Sequence, residues 1–262
     1  MLQYRKGIGT MTLQFRKMHG LGNDFVVVDN RDGSHAFSAE QIRLISDRHF
    51  GVGCDQFIVL EPSAKADVFM RIYNPDASEA GACGNATRCI AHLLERSECT
   101  IETISGILSC ERQPDGQITV DMGAPRSIND ITVDGRTAIA VDMGNPHCIF
   151  FVDDINAVRV EAAGHLVEFH PQFSNRTNVE FVQVLAPDKI RMRVWERGAG
   201  VTLACGSGAC ATIAATASKG LSSRKAEIIL DGGSLFLEWR ESDGHILMTG
   251  PAASVFNGSF DL

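Results

Sequence analysis

The chain has 262 residues, 44% of them hydrophobic, and a formal net charge of −8. That supplies enough apolar side chain for a packed core and argues against disorder, while the absence of a basic stripe argues against a nucleic-acid partner. No apolar run approaches the ~20 residues of a membrane span, and the opening MLQYRKGIGTMTLQF has no apolar signal core, so no membrane and a cytoplasmic location are expected.

Residues 1–11 read as an N-terminal extension, with Met11 a second candidate start because patterned sequence begins just after it. Phe25–Val28 and Phe57–Leu60 read as short strands. Between them Ser38-Ala39-Glu40-Gln41 opens a helix as a capping box, with Ile42, Ile45 and Phe50 expected on its buried side. Asp67–Tyr73 is a further strand. The stretch ACGNATRC (82–89) then turns into a helix carrying Cys89, Ile90, Leu93 and Leu94. A strand at Gln117–Met122 precedes APRSINDITVDG (124–135), which reads as an inter-domain linker. Arg191–Trp195 is a strand, and ACGSGACA (204–211) opens a second helix bearing Ile213, Ala214 and Ala217 and ending at Gly220. That helix is nearly free of polar residues and is expected to be buried all round. Strands at Ala226–Leu230, Leu235–Trp239 and Ile246–Thr249 follow, and the last dozen residues, PAASVFNGSFDL, are expected to return as an edge strand to the first domain.

The two cysteine turns lie 122 residues apart, and the same offset aligns other tracts without gaps. Met70-Arg71-Ile72-Tyr73 falls on Met192-Arg193-Val194-Trp195, Gly22-Asn23 on Gly144-Asn145, Gln56 on Asn178, and Asn74 on Glu196. A duplication accounts for this. It implies an α/β chain of α+β type with two pseudo-symmetric domains, each a mixed, largely antiparallel sheet wrapped around a central helix. The expected domains are 12–126, with 251–262 returning to it, and 127–250. A pseudo-two-fold axis between them brings the cysteine turns face to face, where ligand sites commonly form.

The eight cysteines lack paired C-x-x-C spacing, which disfavours structural zinc, so no metal is expected. Cys89, Cys148 and Cys210 read as packed interior thiols, and Cys54, Cys99 and Cys110 carry no assignment. Cys83 and Cys205 differ because each stands just before a helix, at the positive end of its dipole, which is expected to lower the thiol pKa. The following glycine admits a ligand to the backbone, and the free N–H groups of the first turn bind an anion such as a carboxylate. Two thiols on opposite sides of one bound carboxylate suit the inversion of a stereocentre. One removes a proton from one face while the other returns a proton to the opposite face, and the N–H dipoles stabilise the charge that develops between. No pyridoxal-phosphate cup or Schiff-base lysine is evident, so no cofactor is expected.

Several stretches together resemble the diaminopimelate epimerases, of the cofactor-independent amino-acid racemase and epimerase superfamily. They are MHGLGNDFVVVD (18–29), GVGCDQ (51–56), NPDASEAGACGNATRC (74–89), MGNPHC (143–148), RTNVEF (176–181) and ERGAGVTLACGSGA (196–209). The resemblance implies epimerisation of LL-diaminopimelate to the meso form, for lysine and peptidoglycan synthesis, by a homodimer. It implies that Cys83 and Cys205 are the acid/base pair and that Gly84, Asn85, Gly206 and Ser207 hold the reacting carboxylate. Asn23, Gln56, Asn74, Asn145, Asn178, Glu196 and Arg197 would hold the rest of the substrate, and His147 and Glu196 would tune the thiols. The chain departs from the family at Ala77-Ser78 and Ala86-Thr87, where glycine is usual at the first position of each pair; Ala86, beside the reactive turn, puts the local backbone path in question.

Other readings stand beside these. Asn23 and Asn145 follow glycines and could be turn residues with positive φ. Glu196 and Arg197 could form a surface ion pair, and His147 could sit in an exposed loop. A racemase of proline or hydroxyproline is a rival within the class. A thiol redox protein pairing Cys83 with Cys89 or Cys205 with Cys210, or a non-catalytic binding module, is a rival outside it.

Overall fold

The computed structural model describes residues 12–262, so the expected extension and the start at Met11 lie outside the described residues. The first half runs β1 (Thr12–Gly20), β2 (Asn23–Asp29), α1 (Ala39–Ser46), β3 (Gln56–Glu61), β4 (Val68–Tyr73), β5 (Glu79–Ala80), α2 (Gly84–Leu94), β6 (Glu98–Thr103), β7 (Gly106–Arg112) and β8 (Ile118–Asp121). The second half repeats this order. It runs β9 (Ser127–Val133), β10 (Arg136–Asp142), β11 (Pro146–Phe151), α3 (Val160–Glu168), β12 (Asn178–Ala186), β13 (Lys189–Glu196), β14 (Gly200–Thr202), α4 (Gly206–Ser218), β15 (Lys225–Leu230), β16 (Gly233–Trp239), β17 (Ile246–Gly250) and β18 (Ala253–Asp261).

The repeat extends to strand register. Phe25 pairs with Gln56 between parallel β2 and β3, and His147 with Asn178 between parallel β11 and β12, so both partners are shifted by 122 residues. Beyond α4 the offset widens to 127, as in Glu98 to Lys225 and Gly106 to Gly233. The sheet runs continuously from β18 through β1, β2, β3, β4, β6, β7 and β8 to β17. It continues through β16, β15, β13, β12, β11 and β10 to β9. The halves therefore join along the antiparallel β8–β17 pair. One strand crosses between them: β18, which follows β17, lies antiparallel on β1 of the first half.

Strand alternation explains the layering. In β2, Phe25 and Val27 face an inner core that includes Ala86, Cys89 and Ile90 of α2 and Ala209, Cys210 and Ile213 of α4. Val26 and Val28 face an outer cluster with Ile42 and Ile45 of α1. Val160 and Val167 of α3 close the matching outer cluster of the second half. The inner core is continuous across both halves, so α2 and α4 sit inside the wrapped sheet while α1 and α3 cover it. In α4 every residue from Gly208 to Thr216 is buried, in keeping with its apolar sequence, and Gly220 beyond its end takes a positive φ of 67°.

Two expectations fail. Phe50 is 81% exposed rather than buried. Helix α1 stops at Ser46, and the Asp47 carboxylate accepts from the backbone N–H groups of His49 (2.7 Å) and Phe50 (2.8 Å), which turns the chain outward before the helical stripe reaches Phe50. The segment expected to be a linker is instead mostly strand: β9 pairs with β10 from Ser127↔Asp142 to Val133↔Arg136. Its tip is Asp134-Gly135, with φ of 48° and 76°, the Asp-Gly dipeptide that favours a two-residue hairpin turn with both φ values positive.

Candidate active site

Cys83 and Cys205 are the N-cap residues of α2 and α4, both in extended backbone conformation. The first helical hydrogen bonds run from Thr87 N to Cys83 O (2.9 Å) and from Ala209 N to Cys205 O (3.0 Å). The N–H groups of residues 84–86 and 206–208 thus have no acceptor within their helices. The two turns meet. Asn85 Nδ2, on the first turn of α2, donates to Ala204 O, immediately before Cys205, at 3.0 Å. Met248 of β17 lies against both: a Cβ on Gly84 would come within 2.8 Å of its Cε, and one on Gly206 within 3.1 Å of its Sδ. Glycine at these two positions leaves room for the Met248 side chain between the helix ends.

Around Cys83 the polar groups form a connected set. Asn23 Oδ1 accepts from Asn85 Nδ2 at 3.1 Å and faces Cys83 Sγ at 3.8 Å, while Asn23 Nδ2 donates to Asp55 at 2.9 Å. Positive φ belongs to Leu21 and Gly22 rather than to Asn23, and to Gly144 rather than to Asn145, so neither asparagine is there for its turn conformation. Gln56 Nε2 donates to Asn74 Oδ1 at 3.1 Å, and Gln56 Oε1 is buried without a partner. The sharp backbone position nearby is Ala77, at φ 71°. Ala86 is an ordinary buried helical residue, so the departure from glycine that matters is at 77.

Around Cys205 the set is more acidic. Its Sγ accepts from Gly208 N at 3.4 Å and lies 3.6 Å from Ser207 Oγ, which in turn accepts from Asn145 Nδ2 at 3.2 Å. His147 is buried on β11 and not in an exposed loop. Its Nε2 lies 3.1 Å from Asn145 Oδ1 and its Nδ1 2.6 Å from Glu180 Oε1. Glu196 does not pair with Arg197. It accepts from Thr202 Oγ1 and from the Cys205 thiol, whereas exposed Arg197 donates from Nη1 to Asn175 O at 3.1 Å. Asn178 Oδ1 accepts from Arg197 N at 2.9 Å and its Nδ2 donates to Pro146 O at 2.9 Å.

Electrostatics correct one expectation. Burial pushes the Cys83 thiol up to about 11, against the N–H groups of Ala86 and Asn85 and the charge of Arg88, which act to lower it. Burial, with Glu196 and Glu180 adding to it, pushes the Cys205 thiol well above its ordinary value. Desolvation thus outweighs the helix dipole at both cysteines. Burial also raises the Glu196 carboxyl, against the lowering hydrogen bonds from Thr202 and Cys205. The remaining cysteines Cys54, Cys89, Cys99, Cys110, Cys148 and Cys210 are buried. Among the described residues, no group of three or more His, Cys, Asp or Glu side chains could hold a metal ion. A surface cleft of about 1070 Å³ bounded by Glu111, Lys189, Lys225 and Phe236 contains none of the residues above.

Three participants escape a reading of motifs: Glu180, Thr202 and Arg88. Glu180 sits in NVEFV, the single charge of a mostly apolar strand, and aligns at the repeat offset with Ile58. Arg88 is a charge within a buried helix and aligns with Cys210. Charged residues in such places signal a site. Thr202 carries no comparable signal.

The family model for diaminopimelate epimerase matches residues 15–128 and 139–255. A diaminopimelate epimerase of Rhodospirillum centenum is 52% identical over 95% of this chain and 92% of its own length, and one of Gluconobacter oxydans is 48% identical over 95% and 99%. Among solved structures, a phenazine biosynthesis protein of the PhzF family from Bacillus anthracis has a TM-score of 0.74 at 16% identity, covering 95% of this chain and 99% of that one. A hydroxyproline epimerase from Agrobacterium vitis has a TM-score of 0.74 at 16% identity, covering 98% and 93%. At that identity these structures show a shared fold alone, the two-domain α+β architecture. The sequence relatives and the matched model decide the family: the chain belongs to the diaminopimelate epimerases, which are isomerases.

Proposed function

We propose that the protein epimerises LL-2,6-diaminopimelate to the meso form with Cys83 and Cys205 as paired acid and base and without a cofactor. The observation that carries this reading is the seam itself, where the turns that carry the two N-cap cysteines, one from each half, are joined by the Asn85–Ala204 hydrogen bond. A carboxylate laid across the two helix N-termini would place its α-carbon between the thiols. The thiolate on one face takes the α-proton and becomes a thiol. Negative charge spreads onto the carboxylate, where the N–H groups of Gly84, Asn85, Gly206 and Ser207 stabilise it. The thiol on the other face gives up its proton to carbon and becomes the thiolate.

The raised thiols make each cysteine a strong base once ionised, which suits removal of a weakly acidic C–H. Glu196 is placed to take the Cys205 proton, and His147 acts through Asn145 and Glu180. Gln56 Oε1, buried without a partner, suits the substrate's ammonium groups. Asn23, Asn74, Asn145, Asn178 and Arg197 hold the remainder, with Arg197 on the distal carboxylate that proline lacks. We place the enzyme in lysine and peptidoglycan precursor synthesis, as a cytoplasmic homodimer acting on a small molecule, with no nucleic-acid or membrane partner. Its proposed domains are 12–126 with 251–262, and 127–250. The relatives at 42–52% identity favour diaminopimelate over proline or hydroxyproline.

The test is turnover of LL-diaminopimelate in deuterated water without added cofactor, followed at low conversion. The expected product carries deuterium at the inverted carbon while unreacted substrate stays almost unlabelled. Turnover of L-proline in place of diaminopimelate, or substantial unlabelled product, would remove the reading.

A further inference from the structure

Arg88 is the largest fully buried side chain among the described residues, and its guanidinium has no carboxylate partner among them. Nη2 donates to Asn85 Oδ1 at 3.0 Å, Nε to Pro251 O at 3.2 Å, and Nη1 points to Met248 Sδ at 3.5 Å. The chain makes room for it with a glycine. A Cβ on Gly20 would stand 3.0 Å from Nη2, whereas one on Gly250 would meet Leu235 at 2.4 Å and only touch Nε at 3.4 Å. A desolvated cation without a counter-ion is costly and persists where something nearby becomes an anion. The titratable groups acting on Arg88 are Cys83 and Cys89 on its own helix and Cys210 on α4; none is a carboxylate. Cys83 in turn faces Arg88 and, from β13, Glu196.

The duplication sharpens the point. Position 88 holds a cation in the first half and Cys210 stands at its counterpart, whereas the second half holds Glu180 opposite Ile58 and Glu196 opposite Asn74. The two otherwise repeated thiol turns thus differ in their charged neighbours: carboxylates alone act on Cys205, whereas Cys83 feels Glu196 together with the Arg88 cation.

We propose that Arg88 is a positioning residue of the active site: its buried cation is the counter-charge of the anion formed at Cys83, and its fork locks the Asn85 amide. With Asn85 Oδ1 held by Arg88, Asn85 Nδ2 points to Asn23 Oδ1 and Ala204 O, which ties the cysteine turn of one half to that of the other. This rests on Cys83 being one of the two acid/base thiols.

The test uses R88K, which keeps the charge and loses the fork, and R88M, which loses both. Alkylation of Cys83 by iodoacetamide is followed against pH by peptide mass spectrometry in the folded proteins, beside steady-state kinetics. Removing a nearby cation disfavours the thiolate, so R88M is expected to move the alkylation midpoint to higher pH. R88K is expected to keep the wild-type midpoint but to lose about ten-fold or more in kcat with little change in KM, as for a group acting on the transition state. An R88M midpoint equal to wild type, or an R88K kcat equal to wild type, would overturn the proposal. Should R88M not fold, the R88K kcat and its unchanged midpoint decide. Because alkylation needs no substrate, a wild-type protein that fails to turn over diaminopimelate would sink the proposed reaction and leave the alkylation result to judge Arg88 separately.

Discussion

Replacing Glu196 with glutamine removes a charge beside Cys205 while keeping shape and an acceptor for Thr202 Oγ1. Wild-type Cys205 faces two carboxylates, Glu196 and Glu180, and both push its pKa up on top of burial. Two unit charges about 4 Å apart interact by ~4 kcal/mol at an effective dielectric constant of ~20, which corresponds to a ceiling of about 3 pH units. Glu196→Gln is therefore expected to move Cys205 alkylation to lower pH by at least about one unit, and Cys83, which Glu196 also raises, in the same direction. Stability should respond too. A carboxyl raised in the folded state binds more protons than it does unfolded, so the wild type loses stability as pH climbs from the ordinary carboxylate value through the raised one. Glutamine abolishes that slope, and the variant should gain on the wild type in thermal melts taken at rising pH. The assay is iodoacetamide labelling of Cys205 against pH, read by peptide mass spectrometry and paired with those melts. A midpoint that stays put or moves upward would refute the electrostatic account of Cys205.

Cys83→Ala and Cys205→Ala should each lose nearly all epimerisation while staying folded, because inversion needs a donor and an acceptor on opposite faces; near-normal turnover by either would remove the two-thiol reading. Arg197→Met should raise KM with little change in melting temperature, since the exposed guanidinium can pair with a distal carboxylate in a way methionine cannot; a normal KM in the folded variant would return Arg197 to its contact with Asn175 O. Ala77→Gly relieves a left-handed backbone at φ 71°, and net of the added freedom of the unfolded chain it should stabilise by up to about 1 kcal/mol, or roughly 2 °C. A lower melting temperature in that variant would contradict the strain argument.

Much of the architecture can be read from one offset. Because Cys83 and Cys205, Gln56 and Asn178, and Asn74 and Glu196 share a spacing of 122 residues, the pseudo-symmetric pairing of the site is visible before any coordinates. The part that hides does so for physical reasons. Five extra residues, two lengthening α4 relative to α2 and three in the connection after it, shift β15 and β16 out of phase with β6 and β7. Phe50 fits a helical stripe that a side-chain cap at Asp47 cuts short, and the hairpin of β9 and β10 hides because its polar, exposed residues resemble a linker. The raised thiols are invisible because a motif shows the helix end but not the depth at which it is buried. Glu180 and Arg88 were readable only as charges out of place.

The crossing of β18 to the first half has a consequence for synthesis. Strand β1 emerges early from the ribosome, yet its partner β18 is separated from it by nearly the whole chain, with Thr12 lying opposite Asp261. The second half needs no such wait, since β9 precedes β10 and pairs with it directly. The half that is translated first is thus the one completed last, and until then β1 presents an unpaired edge able to accept a foreign strand. Vectorial synthesis leaves the earlier-made half dependent on β18, so a chain stopped between β17 and β18 would carry a finished partner half and an open flank.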